Sequence, residues 1–495
     1  MASFSGHFSS FRKGIIGDEL RYETPYGIKT MLYADWIASG RLYAPIEEKL
    51  FSEIGPYIGN THTETSETGQ LMTKAYHQAH QLIKKHVNAS NDDVLITTGF
   101  GMTSALVKFQ RILNLKSCGR KTTHECVSVE ERPVVFLTHM EHHSNQTSWY
   151  YTIADVVVVP PGEGLLVDPE HLRELLKEYA HRKLKIGSFT ACSNVTGIET
   201  PYHILARIMH EAGGYCFMDF AASAPYVDIN MHPADPMEKL DAIFFSPHKF
   251  LGGPGSSGVL IFDSALYHRD DPDQPGGGTV DWTNPWGGFK FIDDIEIRED
   301  GGTPGFLQAI KTALSLELKD QMDVIKMRIR EQELVHCAFE GFDKIPGLHV
   351  LADNVRNRLG IMSFYIDNLH YNLAVKLLSD RFGIQVRGGC ACAGTYGHFL
   401  LDVSYEKSKE ITERITHGDL SQKPGWIRLS LHPTMTDTEV DFIVDAIRQI
   451  TVNHKEWGLD YRYNKHNNEF LHKDEENKKN DFVKSWFKLP EITEL

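Results

Sequence analysis

Short apolar runs of strand length alternate with helical segments through the middle of the chain. These runs are rich in β-branched and aromatic residues, which favour strands. They lie at 94–98, 133–138, 155–160, 185–190, 215–220, 242–246 and 258–262. Between two of them, 168–182 is amphipathic, with an acidic start and a basic end that suit a helix dipole. The alternation predicts an α/β fold in which helices sandwich a mostly parallel sheet.

The pattern changes on either side of this region. Upstream, helical spacing of apolar residues predicts a helix at 68–87. Downstream, a long helix at 307–342 leads into a smaller α+β domain whose last helix covers 437–450. The expected parts are an N-terminal segment (1–30), a large domain (31–306), a small C-terminal domain (307–460) and a polar C-terminal tail (461–495).

Net charge and cysteine content indicate which partners and which cellular compartment to expect. The formal net charge of −15 argues against nucleic acid or an anionic membrane as a partner, because both repel a net anion. No apolar run approaches the ~20 residues of a membrane span, and the first residues lack the apolar core of a secretory signal. The seven cysteines are odd in number and scattered, which favours a reducing compartment. We therefore expect a cytoplasmic protein.

One lysine separates two of the apolar runs. In FFSPHKFLGGPGSSGVLIF (244–262), Lys249 follows Ser246 and His248 and precedes a cluster of glycines. Glycines let the backbone turn sharply and approach a ligand closely. A desolvated lysine has a lowered pKa and becomes a nucleophilic amine, as a Schiff-base lysine requires. The alternative is a surface lysine in a glycine-rich loop.

Two further side chains stand where a pyridoxal cofactor needs them. The ring nitrogen of that cofactor requires a carboxylate, and Asp219 ends the apolar run YCFMD. The ring also needs a flat partner, and His142 in HMEHHSN follows the strand at 133–138. Ligands of parallel sheets bind at the carboxyl ends of strands. The alternatives are that Asp219 caps a turn and that HMEHH binds metal.

Together these motifs resemble the class V aminotransferase-fold enzymes that use pyridoxal 5′-phosphate, and most of all the group II cysteine desulfurases and selenocysteine lyases. The resemblance runs from 31 to the helix ending near 450. It is carried by SPHKFLGGPGSSGVL, MEHHSN, CSNVTG, GGTPG (301–305), VRGGCACAG (386–394) and IRLSL (427–431). It implies a fold-type I enzyme whose large domain binds pyridoxal phosphate and which works as a homodimer.

The resemblance implies a role for each matching residue. Lys249 would bind the cofactor covalently, Asp219 would pair with its ring nitrogen, and His142 would stack on its ring. Asn194 would lie near the ring hydroxyl, and Arg428 would clamp the substrate carboxylate with its planar fork. The phosphate would be bound by Ser246, His248, the backbone of Gly101 and Met102, and Thr303 of a neighbouring subunit.

The cysteine loop VRGGCACAG admits several interpretations. The resemblance aligns Cys392 with the sulfur-accepting cysteine of the family. A thiolate there needs exposure and nearby positive charge, which Arg387 supplies five residues earlier. Cys390 is then a second thiol or a resolving partner. The alternatives are that both cysteines are small packing residues, or that they form part of a metal site with His398, at a spacing that matches no common zinc pattern.

Three positions depart from the family pattern. In the phosphate turn TGFGMTS, Phe100 and Gly101 stand where relatives usually carry hydroxyl residues. The phosphate would therefore rest on main-chain N–H groups at a helix start. Ala222 replaces a glutamine, which leaves the ring hydroxyl to Ser223 or Asn194. The two positions before Cys392 are cysteine and alanine instead of histidines.

The expected function is that of a cysteine desulfurase or selenocysteine lyase. Such an enzyme removes sulfur or selenium from L-cysteine or selenocysteine, giving alanine and a persulfide on Cys392, and a protein is a candidate sulfur acceptor. One alternative is another class V reaction without a catalytic cysteine, such as transamination, epimerisation or C–S lysis. Another is a scaffold that has lost its chemistry, which the presence of lysine, aspartate and arginine disfavours.

Overall fold

The computed structural model describes residues 4–61, 63–116, 127–474 and 478–490, so Cys118 and Cys126 lie outside the described residues. The strands are β1 (Arg21–Thr24), β2 (Gly27–Thr30), β3 (Leu32–Tyr33), β4 (Asp93–Thr98), β5 (Val134–Thr138), β6 (Asp155–Val159), β7 (Lys185–Thr190), β8 (Tyr215–Asp219), β9 (Ala242–Phe245), β10 (Gly258–Asp263), β11 (Val280–Thr283), β12 (Phe289–Phe291), β13 (Leu348–Val350), β14 (Ile361–Ile366), β15 (Ile384–Gln385), β16 (Arg387–Gly389), β17 (Trp426–Ser430), β18 (Tyr461–Asn464) and β19 (Glu469–His472).

The α-helices are α1 (Ser5–Arg12), α2 (Ala44–Glu48), α3 (Glu67–His86), α4 (Met102–Ile112), α5 (His143–Thr147), α6 (Pro169–Glu178), α7 (Tyr202–Glu211), α8 (Ile295–Arg298), α9 (Phe306–Met322), α10 (Val324–Phe342), α11 (Tyr371–Leu377), α12 (Gly394–Leu400), α13 (Tyr405–Thr416), α14 (Asp437–Trp457) and α15 (Lys478–Ser485). Among the helices described, none is both long enough and apolar enough to cross a lipid bilayer.

Seven strands form the central sheet, in the order β4-β10-β9-β8-β7-β5-β6. Neighbours from β6 to β9 pair in parallel, whereas β10 runs antiparallel to both β9 and β4. Each strand matches its predicted run to within one residue at either end. The predicted α/β fold with a mostly parallel sheet is confirmed, and the carboxyl ends of β5, β7, β8 and β9 meet along one edge.

Both faces of the central sheet are buried. Along β9, Phe244 belongs to one apolar cluster, while Ile243 and Phe245 belong to a second cluster on the opposite face. Helix α4 covers the first face, where the Phe109 and Phe217 ring centroids lie 5.0 Å apart. Helix α7 contacts β7 and β8 and contributes to the second cluster. Successive side chains of a strand point to opposite faces, so strands buried on both must be apolar throughout.

A second sheet organises the C-terminal part. It is antiparallel, with strand order β13-β14-β17-β16, and α10, α11 and α14 pack nearby. Helix α14 begins at a capping box of Thr436 and Glu439 and extends to Trp457, beyond its predicted end. The smaller α+β domain is confirmed, and the domain boundaries at 30, 306 and 460 stay predictions.

The segment predicted as a polar tail begins with a hairpin of β18 and β19. The hydroxyl of Tyr461 donates to Asp380 Oδ2 at 3.0 Å, and Asn468 Nδ2 donates to Tyr371 Oη at 2.6 Å. These bonds attach the hairpin to the π-helical turn at 378–382 and to α11. The sequence predicted a flexible tail here because the aromatic residues of the hairpin are interleaved with charged ones, as in disordered segments.

The single helix predicted at 307–342 is two helices, α9 and α10, joined at Asp323. Asp323 has a φ of +66°, in the left-handed region, which ends α9. Its carboxylate then accepts hydrogen bonds from the N–H groups of Ile325 and Lys326 at 3.1 and 3.3 Å and caps α10. Both helices bury apolar residues in the same cluster, so the hydrophobic pattern continues across the break.

We expect Asp323→Ala to destabilise the start of α10, because alanine removes the cap and tolerates the left-handed conformation less well than aspartate. The loss of unfolding free energy should be about 1–2 kcal/mol. Asp323→Asn is the matched control, since asparagine keeps both the acceptor and the left-handed preference. Hydrogen exchange of the amides at 325–327 should be faster in the alanine variant alone. Equal exchange in all three proteins would contradict this role.

Candidate active site

Most of the predicted site residues line one cavity at the carboxyl edge of the central sheet. The cavity has a volume of about 260 Å³. The predicted residues that line it are Met102, His142, Asn194, Asp219, Ser246, His248, Lys249, Cys392 and Arg428. Of the other two, Gly101 does not line the cavity, and a Cβ on it would be 2.9 Å from Ser246 Oγ. Thr303 is exposed and does not line this cavity, and its contact with a neighbouring subunit stays a prediction.

Lys249 and Asp219 come from adjacent strands. Asp219 is the last residue of β8, and Lys249 ends the 3-10 turn that follows β9. Desolvation by the cavity walls lowers the pKa of Lys249 to about 8, against the opposing charge of Asp219. Burial raises the pKa of Asp219 to about 6, although it accepts a hydrogen bond from the Ala221 N–H at 2.8 Å. The pair therefore combines an amine that is easily neutralised with a carboxylate shielded from water.

His142 is held as a neutral imidazole at the start of α5. Its Nδ1 accepts a hydrogen bond from the Ser144 N–H at 3.1 Å, which leaves the ring proton on Nε2. Desolvation, assisted by the charge of Lys249, lowers the pKa of His142 to about 3. A neutral ring in this place presents a flat aromatic face to the cavity without adding charge.

Glu141, which sequence reasoning did not select, anchors the backbone beside His142. Its carboxylate accepts hydrogen bonds from Thr138 Oγ1 (2.7 Å), Asn145 Nδ2 (2.7 Å) and the Thr190 N–H (2.9 Å). Burial raises its pKa to about 7. The carboxylate thereby links the ends of β5 and β7 and fixes the start of α5. Its place inside the MEHHSN motif was the available signal.

The start of α4 forms one end of the cavity. The Met102 N–H donates to Ser246 Oγ at 2.8 Å, so this serine joins the loop after β9 to the helix. Gly258 must lack a side chain, because a Cβ there would lie 2.4 Å from the Gly101 oxygen. Desolvation lowers the pKa of His248 to about 4, which leaves it neutral. Helix N-termini attract anions through their free N–H groups and their dipole, so this end suits a phosphate.

Arg428 and Arg387 share one carboxylate that sequence reasoning missed. Asp35 Oδ1 lies 3.2 Å from Arg428 Nη2, and Asp35 Oδ2 lies 3.0 Å from Arg387 Nη2. Arg428 is buried, whereas more than half of the Arg387 side chain is exposed, and both line the cavity. Asp35 follows the short strand β3, so an acid directly after an apolar run was the only local signal. The trio carries a net positive charge that suits a substrate carboxylate.

The cysteine loop is a tight turn in an unfavourable backbone conformation. Ala391 and Cys392 have φ values of +48° and +56°, and the Ala393 N–H donates to the Cys390 oxygen at 3.0 Å. Two consecutive non-glycine residues are therefore left-handed, each at a cost of roughly 1–2 kcal/mol. Cys392 is exposed and lines the cavity, whereas Cys390 is half-buried.

Two residues hold this turn from the side of the central sheet. Asn194 Nδ2 donates to the Ala391 oxygen at 2.7 Å, and the His143 N–H donates to the Cys392 oxygen at 2.7 Å. His143 Nε2 also accepts from the Gly394 N–H at 2.8 Å. The two neighbouring histidines therefore have different roles. His142 lines the cavity, whereas His143, the first residue of α5, holds the cysteine loop.

Comparison with known protein families gives a match across most of the chain. The family model Aminotransferase class-V matches residues 32–443. The chain belongs to the class-V aminotransferase family. This family is pyridoxal-phosphate dependent, which confirms the resemblance, the enzymatic character and the cofactor predicted from the motifs.

Individual relatives share about a quarter of their residues or fewer with this class-V chain. A probable cysteine desulfurase from Halalkalibacterium halodurans is 27% identical over 368 residues, covering 73% of this chain and 84% of the relative. One from Staphylococcus aureus is 26% identical over 371 residues, covering 74% and 84%. The solved cysteine desulfurase of Thermococcus onnurineus matches with a TM-score of 0.71 at 20% identity, covering 90% of this chain and 98% of that one. One from Escherichia coli has a TM-score of 0.67 at 21% identity, covering 91% and 98%.

The cavity of this class-V enzyme fits pyridoxal phosphate. Asp219 offers a buried carboxylate for the ring nitrogen, and the start of α4 offers N–H groups for the phosphate. Asn194 is 6% exposed, and its Oδ1 has no hydrogen-bond partner among the described residues. Of the two residues predicted for the ring hydroxyl, Asn194 lines the cavity and Ser223 does not. The free amide oxygen therefore matches a donor that the bound cofactor would supply.

The rate at which the apoenzyme takes up pyridoxal phosphate should rise with pH through about 8, because only the neutral amine of Lys249 attacks the aldehyde. Asp219→Asn removes a charge that raises this pKa, so the rise should move to lower pH. Stopped-flow absorbance measures both profiles, and Lys249→Ala is the control without covalent uptake. A rise only near ~10.4, the ordinary pKa of lysine, would contradict the desolvated state.

Asn194→Ala should loosen the cysteine turn, because it removes the hydrogen bond that holds Ala391 in its left-handed conformation. We expect alkylation of Cys392 by iodoacetamide to become several-fold faster and amides 390–394 to exchange faster. Thr395→Val is a matched control, since it removes the Thr395–Gln146 hydrogen bond (2.8 Å) outside the turn. Unchanged alkylation in the Asn194 variant would show that this bond does not hold the loop.

Proposed function

We propose that this enzyme is a cysteine desulfurase or selenocysteine lyase that converts L-cysteine-type substrates into alanine and a persulfide on Cys392. The observation that carries the proposal is the exposed thiol of Cys392 on the same cavity as Lys249 and Arg428. Transamination and epimerisation need the lysine and the arginine but no thiol. The names of the relatives, probable cysteine desulfurases, support the same assignment.

Lys249, Asp219, His142, Asn194, Ser246 and His248 would hold the cofactor, together with the backbone of Gly101 and Met102 at the start of α4. Pyridoxal phosphate supplies an electron sink for the negative charge that develops on the substrate α-carbon. The residues of the chain must therefore place that carbon, move its proton and deliver a nucleophile to the substrate sulfur.

Arg428 and Lys249 divide the work at the amino-acid end of the substrate. The guanidinium of Arg428 would bind the substrate carboxylate as a planar fork, and Asp35 holds it in position beforehand. Lys249, with a pKa of about 8, is neutral in about a tenth of molecules at pH 7, and this neutral amine would remove the α-proton. Desolvation of this amine and the nearby arginines lower its pKa and so favour the neutral form that can accept the proton.

Cys392 would act on the substrate sulfur. Its thiolate attacks that sulfur, so an S–S bond forms, the C–S bond breaks and the electron pair of the C–S bond stays on the amino-acid carbon. Arg387 lines the cavity beside the loop and supplies positive charge near the thiolate. Because Cys392 is also exposed, the sulfur it takes up is within reach of an acceptor, which we propose to be a protein or a small thiol. We also propose a homodimer in which Thr303 contacts the phosphate of the partner.

The test is a product assay on the purified holoenzyme. Incubation with L-cysteine and dithiothreitol should give alanine and sulfide in equal amounts. Cys392→Ala should keep the cofactor absorbance but lose alanine formation by a factor of ~1,000 or more, as when a catalytic nucleophile is removed. Cys337→Ala, which changes a half-buried cysteine on α10, is the matched control and should retain activity.

Undiminished alanine formation by Cys392→Ala would contradict the persulfide mechanism. Selenocysteine serves as a second substrate, and consumption of selenocysteine alone would restrict the enzyme to the lyase reaction. Keto-acid formation from other amino acids, equal in wild type and variant, would instead favour a class V reaction that needs no thiol.

A further inference from the structure

The cysteine turn contains two thiols with different surroundings. Cys392 faces the cavity and is exposed, whereas Cys390 is half-buried, packs against the apolar core and lies close to Tyr371. We propose that Cys390 is the resolving thiol of this site: it attacks the persulfide on Cys392, forms a Cys390–Cys392 disulfide and releases sulfide. This inference rests on the proposed function and adds the fate of the sulfur when no acceptor takes it from Cys392.

The backbone places the two cysteines within the Cα spacing that a disulfide allows. One residue separates them, so their Cα atoms are at most ~7 Å apart even in extended chain. The hydrogen bond from the Ala393 N–H to the Cys390 oxygen closes a β-turn and shortens this distance. Disulfides form when Cα atoms are roughly 4.4–6.8 Å apart. Glycines at 388, 389 and 394 flank the turn and let it adjust.

The backbone of the turn favours movement after the first reaction. Ala391 and Cys392 are held left-handed by Asn194 and His143, and both would relax if these hydrogen bonds broke. A persulfide adds a sulfur atom to the side chain that points into the cavity. The larger side chain crowds the wall, so we expect it to push the turn away from Asn194. Relaxation of the turn then brings Cys392 out of the cavity toward Cys390.

The reaction balances without an added oxidant. The thiolate of Cys390 attacks Cys392 Sγ, the new S–S bond joins the two side chains, and the S–S bond of the persulfide breaks. The outer sulfur leaves with the electron pair as hydrosulfide and is reduced, while Cys390 is oxidised. Attack on Sγ is favoured over attack on the outer sulfur by the short tether, and because hydrosulfide is a better leaving group than a cysteine thiolate. A dithiol reductant must then reduce the disulfide before the next turnover.

The decisive experiment is a turnover of the holoenzyme with one equivalent of L-cysteine per subunit and no other thiol, because excess L-cysteine is itself a reductant. Wild type should release about one equivalent each of alanine and free sulfide per subunit and then stop, with no cyanolysable sulfur on the protein. Its loop peptide should be lighter by two hydrogens. Cys390→Ser should give the same alanine, but retain one equivalent of cyanolysable sulfur and release almost no sulfide, and its loop peptide should be heavier by one sulfur atom. Cys337→Ser should behave as wild type.

A wild-type protein that retains the sulfur as a persulfide, on either cysteine, would overturn the inference while leaving the proposed function intact. Absence of alanine from both proteins would overturn the proposed function and the inference with it. Equilibration in oxidised and reduced dithiothreitol gives a readout independent of turnover. The loop disulfide should form in wild type and in Lys249→Ala, and its failure to form in both would also overturn the inference.

Discussion

The chemistry of this protein depends on one charge placed where water is scarce. An ammonium group removed from water is unstable unless other charges compensate, and a neutral amine avoids that cost. Lys249 stands at the carboxyl edge of a sheet whose two faces are both covered, so its amine is shielded from water although polar side chains line the cavity. Asp219 on the neighbouring strand compensates the charge only in part. The fold thereby produces an amine that loses its proton at about pH 8, well below the ordinary pKa of an exposed lysine, ~10.4.

Arg428 and the cysteine turn are held beside this amine by a few polar contacts. Asp35 joins Arg428 to the N-terminal part of the chain, while Asn194 and His143 join the cysteine turn to the central sheet. Each contact bonds a group on one part of the chain to a partner on the other. Small displacements of the C-terminal sheet would therefore move Arg428 and the thiol of Cys392 together. In the proposed reaction, the position of the substrate and that of the nucleophile are coupled through the same interface.

Much of this arrangement could be predicted from sequence, because the strands are continuous apolar runs and the reactive residues directly follow them. Lys249, Asp219 and His142 were found in this way. Asp35 was not, since its partners lie more than 350 positions away and no local pattern links them. The left-handed turn at Cys392 was also hidden, because alanine and cysteine normally avoid that conformation. The break between α9 and α10 was not predicted, because a single residue, Asp323, both ends one helix and caps the next.

The position of Asp35 has a consequence for the basicity of Lys249. Arg428 and Arg387 lower the pKa of this lysine, while Asp219 and Asp35 raise it. A substrate carboxylate bound to Arg428 would neutralise part of the arginine charge and so raise the affinity of the lysine for a proton. The amine would therefore be more basic when substrate is present than when the site is free of it. In the proposed reaction, Lys249 must first be neutral and then take a proton from the substrate, so this order favours it. Asp35 contributes to the balance because it pairs with both arginines before substrate binds.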